Sequence, residues 1–76
     1  MVKVTVPHAH DSSDLRPIYL SVARREPVRS EWKPAYRDTV NGQLVVWARF
    51  DEQPAKGVDV WVRDGEGTRR ARPLPA

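Results

Sequence analysis

Apolar and polar residues alternate along three stretches of this chain, and strict alternation is the mark of a half-buried β-strand. In the first, Val2, Val4 and Val6 alternate with Lys3 and Thr5 until Pro7 ends the run. In the second, Leu44, Val46, Ala48 and Phe50 share one face, and Val45, Trp47 and Arg49 share the other. In the third, Val58, Val60 and Val62 alternate with Asp59, Trp61 and Arg63.

Asn41-Gly42 sits before the second run and predicts a two-residue type I′ turn, which needs positive φ at both central positions. A hairpin closed there sets Val40 against Gln43, Thr39 against Leu44 and Tyr36 against Trp47. Residues 51–57 carry Pro54 and Gly57 and read as a loop. A second hairpin across it would set Phe50 against Val58, Ala48 against Val60 and Val46 against Val62. That register also gives an Arg49–Asp59 charge pair and a Trp47–Trp61 pair, both of a kind that stabilises sheets. One face is then a core of Leu44, Val46, Ala48, Phe50, Val58, Val60 and Val62. The other carries a row of Tyr36, Trp47 and Trp61 flanked by Arg49, Asp59 and Arg63.

The rest of the chain is less patterned. Residues 7–14 read as a polar loop. Residues 15–26 fit two templates: Leu15, Ile18, Tyr19 and Val22 at helical spacing, or Ile18, Leu20 and Val22 in alternation, with the Ile, Tyr and Val content favouring a strand. One short helix around residues 15–25 therefore stays open. Pro34 falls where an edge or a bulge is expected, and Asp64-Gly65-Glu66-Gly67 is a turn. Thr68 to Arg72 adds a last short strand, and residues 73–76 read as a flexible, polyproline-like tail. With turn signals at close spacing, the pattern predicts an all-β fold. The expected form is a small five-stranded barrel or strongly bent antiparallel sheet, of the SH3-like or OB-like kind, in one domain spanning residues 1–76.

Size narrows this further. A chain of 76 residues buries only about 60% of its unfolded surface, so each apolar strand is needed for the core. The absence of cysteine excludes disulfide scaffolds and Cys-based zinc sites and points to a reducing compartment. No apolar run approaches the roughly 20 residues of a membrane span, and the N-terminus lacks a signal-peptide core, so a cytoplasmic protein is expected. The net charge is +3, and arginines outnumber lysines by ten to three. Arginine suits bidentate contacts and stacking on aromatics, but a GC-rich genome writes the same composition. The charge permits nucleic-acid binding without requiring it.

Candidate chemistry is sparse. His8 and His10, with Asp11 and Asp14 nearby, resemble a metal cluster, but the chain has no other histidine and a zinc site wants three or four convergent ligands. Two exposed imidazoles in a polar loop are the expectation, with no metal and no cofactor. No cysteine is present, and Ser12, Ser13, Ser21 and Ser30 fall in no motif that brings a base within reach, so the chain reads as a non-enzyme. What remains is the face of Tyr36, Trp47 and Trp61. It is either a second core covered by the N-terminal strands or an exposed surface. As a surface, with Arg49, Arg63 and the strip Arg69, Arg70 and Arg72, it fits the binding face of an adaptor for a protein partner, because Trp, Tyr and Arg dominate binding hot spots. The alternative is a basic nucleic-acid-binding protein that stacks single-stranded bases on the rings. A cage for a cationic ligand fits less well beside so many arginines. Homodimerisation through an exposed edge or this face is a further expectation. Trp32 reads as an apolar anchor at the mouth of the barrel.

Overall fold

A computed structural model of the chain describes residues 1–8 and 16–74. Its strands are β1 (Val2–Pro7), β2 (Tyr19–Ala23), β3 (Lys33–Pro34), β4 (Tyr36–Val40), β5 (Gln43–Phe50), β6 (Asp59–Asp64) and β7 (Gly67–Ala71), with one 3-10 turn at Arg29–Glu31. They form two antiparallel sheets, ordered β1-β5-β4 and β3-β2-β6-β7. The all-β expectation holds, and the segment that fitted either template is a strand over Tyr19–Ala23. The sheets do not close into a barrel. No helix among the described residues is long and apolar enough to cross a membrane.

The first hairpin forms as the turn chemistry predicts. Asn41 and Gly42 both take positive φ, 51° and 80°, and the register pairs Val40 with Gln43, Thr39 with Leu44 and Tyr36 with Trp47.

The second hairpin does not form. β5 pairs with β1 and β4, whereas β6 pairs with β2 and β7. Neither the Arg49–Asp59 nor the Trp47–Trp61 pair exists; Arg49 lies opposite Lys3, and Trp61 opposite Ser21 and Arg70. The connection after Phe50 crosses to the other sheet and turns at Gly57, whose φ is +86°, with Val58 N donating to Ala55 O at 3.1 Å. Stacked sheets lie about 10 Å apart, within easy reach of such a loop. Alternation states which residues point inward but not which strand lies alongside. The same valines meet across the sandwich instead of side by side.

That meeting is the core. Val4, Val6, Val46, Ala48 and Phe50 from one sheet pack on Ile18, Leu20, Val60 and Val62 from the other. Two backbone links tie the sheet margins together. Ala35 N donates to Ile18 O at 2.9 Å where β3 bends into β4, and Leu74 N donates to Thr5 O at 2.8 Å beside β1.

Candidate functional site

Residues that alternate with the core positions face outward, so the three-stranded sheet presents Lys3 and Thr5 from β1, Trp47 and Arg49 from β5, and Tyr36 and Asp38 from β4, whereas Val45 on the same face is buried. The register sets Thr5, Trp47 and Tyr36 abreast, with Lys3 opposite Arg49. The Tyr36 and Trp47 rings are 4.8 Å apart between centroids and tilted by 34°. Tyr36 is 57% exposed, and Trp47 is half-buried. Lys3 Nζ lies 4.5 Å from the Trp47 centroid and the Arg49 guanidinium 5.0 Å. Directly opposed like charges destabilise a sheet, and among the described residues neither cation has an acidic partner. Lys33 Nζ donates to Arg49 O at 3.3 Å, adding a third positive charge. Lys33, Pro34, Tyr36, Trp47 and Arg49 line a cleft of about 400 Å³.

The outer face of the four-stranded sheet carries similar residue types in a different state. Trp61 is only 7% exposed, and its Nε1 donates to Ala23 O at 3.1 Å. Arg70 stacks over its ring at 5.0 Å and pairs with Asp59 at 3.4 Å. Beneath the 3-10 turn, Ser21 Oγ donates to Glu31 O at 2.9 Å, which ties that turn to the sheet. The Arg63 guanidinium lies over both Tyr19 (4.6 Å) and Trp32 (5.2 Å), so Trp32 belongs to this face. Here the aromatics are packing and the charge of Arg70 is compensated.

A buried polar cluster closes one end of the sandwich. His8 extends the inward series Val4, Val6, and Asp64 extends Val60, Val62. Their side chains are 3% and 2% exposed, and His8 Nε2 lies 3.2 Å from Asp64 Oδ2. Arg69 Nη2 donates to the same oxygen at 3.0 Å, and Glu66 N donates to Oδ1 at 2.8 Å. Burial pushes the Asp64 carboxyl up, but the Glu66 amide, Arg69 and His8 outweigh it and hold its pKa at about 2 against an ordinary 3.8. The expectation of an exposed imidazole at position 8 is therefore wrong: the ring is buried and partnered by the Asp64 carboxylate. His10, Asp11 and Asp14 lie outside the described residues, and among the described residues no group of three or more His, Cys, Asp or Glu could hold a metal ion. The pair ties the end of β1 to the end of β6, and His8 also lines a cleft with Pro7, Gln43 and Arg72.

The structure thus divides the expected aromatic row. Tyr36, Trp47 and Arg49 come together on one sheet; Trp61, Arg63 and Arg70 lie on the outer face of the other. Arg69 turns inward to Asp64, and Arg72 follows β7, exposed, at the rim of a cleft that also includes Gln43 and His8. Lys3 and Lys33 were missed as site residues. Lys3 was legible as the outward partner of Val2 and Val4, but its place beside Trp47 needed the β1–β5 pairing. In comparisons with known proteins, no family model, curated protein or solved structure matches this chain.

Proposed function

We propose that this chain is a non-catalytic binding protein of the adaptor kind, working through the outer face of its three-stranded sheet, and that its partner is a protein offering an acidic segment. One observation carries the reading: Lys3 and Arg49 lie directly opposite one another, both over Trp47, with no acidic partner among the described residues. Folding gains nothing from two opposed cations, whereas an anionic partner relieves their repulsion and adds charge-assisted bonds. Tyr36 and Trp47 supply the large, rigid contact surface on which binding hot spots are built. Of the residues first expected to bind, Arg69 and Arg70 are bound to Asp64 and Asp59, so the reading rests on Tyr36, Trp47 and Arg49 with Lys3 and Lys33.

The exposed ring pair beside uncompensated cations also favours a second reading, single-stranded nucleic acid, since bases can stack where phosphates meet Lys3, Lys33 and Arg49. Fluorescence anisotropy with a labelled glutamate-rich peptide and a labelled oligothymidylate separates the two. The protein reading expects the peptide to bind and Lys3→Gln/Arg49→Gln to weaken it at least tenfold, with Arg70→Gln unchanged. The nucleic-acid reading expects the oligonucleotide to bind with a log–log salt slope of about −2 for three neutralised phosphates, without competition from the peptide. Equal losses in Arg70→Gln, or no binding of either probe at low salt, would remove this face as the working surface.

A further inference from the structure

Among the described residues, no strand pairs with the outer edge of β4, which is met only at its start, where Ala35 N donates to Ile18 O. β4 is a margin of its sheet, and most of its residues are exposed, with Tyr36 at 57% and Val40 at 43%. In a two-residue hairpin the pair flanking the turn is hydrogen-bonded and the pairs then alternate. Val40–Gln43, Asp38–Val45 and Tyr36–Trp47 are therefore the bonded pairs, and the backbone groups of Arg37 and Thr39 point away from β5. Position 39 bears this out, because Thr39 N donates not across the ladder but to Asp38 Oδ1, at 2.8 Å.

That edge is complementary to a second copy of itself. An antiparallel pairing about a two-fold axis through residue 38 sets Arg37 opposite the second copy's Thr39, so the outward amides and carbonyls of both residues bond reciprocally. It keeps outer side chains on one face and sets Tyr36 against the second copy's Val40, the two exposed apolar residues of the strand. It fails at two points: the Thr39 amides are already taken by Asp38 Oδ1, and the centre is charged. There two Asp38 carboxylates meet at a non-bonded pair, where Cα atoms approach to about 4.5 Å. Shifting the register does not help: centring on residue 37 opposes two Arg37 side chains, and centring on residue 39 needs the same two capped amides.

The geometry points to Asp38 as a guard on this edge: β4 is built to pair with β4 of a second copy of this chain, and Asp38 holds the two apart, by its charge and by capping Thr39. Natural edge strands are commonly protected by such charges. The other margins need less protection, since β3 has two residues, β7 carries Arg69 and Arg70, and Leu74 bonds to Thr5 beside β1.

The test is mass by sedimentation velocity across a concentration series. Asp38→Asn removes the charge and can keep the cap; Asp38→Ala removes both. The wild-type chain should run at its monomer mass of 8.7 kDa, Asp38→Asn should shift toward twice that mass as concentration rises, and Asp38→Ala should do so at lower concentration. Thr39→Pro added to either variant should restore the monomer, because proline removes an outward donor and no bond inside the sheet. The inference fails if both Asp38 variants stay monomeric over the series, if the wild type already dimerises, or if the dimer survives Thr39→Pro and so uses another surface.

Discussion

Replacing Asp64 by asparagine perturbs the most heavily bonded polar side chain of the described fold. The carboxylate is 2% exposed and takes His8 and Arg69 on one oxygen and the Glu66 amide on the other. Asparagine has the same shape and can still accept from Glu66, so the change isolates the charge. The fall in pKa from 3.8 to about 2 corresponds to about 2 kcal/mol of stability at neutral pH. Removing one partner of a buried ion pair costs about 3–5 kcal/mol, because the other is left uncompensated. Arg69 is 40% exposed and can turn to water, so a loss of about 3 kcal/mol is expected. A chain of 76 residues has roughly 4–11 kcal/mol in total, so the variant should unfold at a visibly lower urea concentration by circular dichroism.

The pH dependence is the sharper part of that prediction. The folded pKa lies below the unfolded one, so the contribution is complete above the ordinary carboxylate range. It is lost as pH falls from about 4 through about 2. The gap between wild type and Asp64→Asn should therefore be widest near neutrality and close progressively toward pH 2. A gap below about 1 kcal/mol at pH 7, or one that does not change with pH, would refute the account of this cluster.

Trp47 and Trp61 should part company. Trp61→Ala removes a buried ring and its bond to Ala23 and should cost about 3–5 kcal/mol, whereas Trp47→Ala should leave a cooperatively folded protein that no longer binds; thermal melts of both check this. Leu20 is fully buried between the sheets, and Leu20→Ala should cost about 2–5 kcal/mol in chemical denaturation. Gly42→Ala forces a side chain into φ +80° at the hairpin turn and should cost about 1–2 kcal/mol by the same measurement, although nothing lies near the added methyl.

Much of this fold was legible because its signals are local. Alternation identified the inward valines, and Asn41-Gly42 fixed the β4–β5 register down to Tyr36 opposite Trp47. Long-range pairing was not legible. Val46 and Val62 carry the same pattern whether they are neighbours in one sheet or meet across two, so the hairpin drawn between β5 and β6 was as consistent with the residues as the true sandwich. That misplacement carried Trp61 onto the wrong face and hid Lys3, whose opposition to Arg49 exists only once β1 is seen to pair with β5. The buried cluster was within reach: His8 and Asp64 each fall on the inward beat of a strand, and a buried histidine and carboxylate at the same end of a sandwich invite pairing.

On the proposed function, the sheet bearing Trp47, and not the one bearing Trp61, meets the partner. The three tryptophan side chains give separate indole N–H signals in a nitrogen–proton NMR spectrum, so one titration reads both faces at once. On adding the glutamate-rich peptide at low salt, the Trp47 indole and the backbone amides of β1, β5 and β4 should shift together, while the Trp61 indole, held on Ala23, stays in place. Shifts concentrated on Trp61 and the β6–β7 amides, with Trp47 unmoved, would contradict the account.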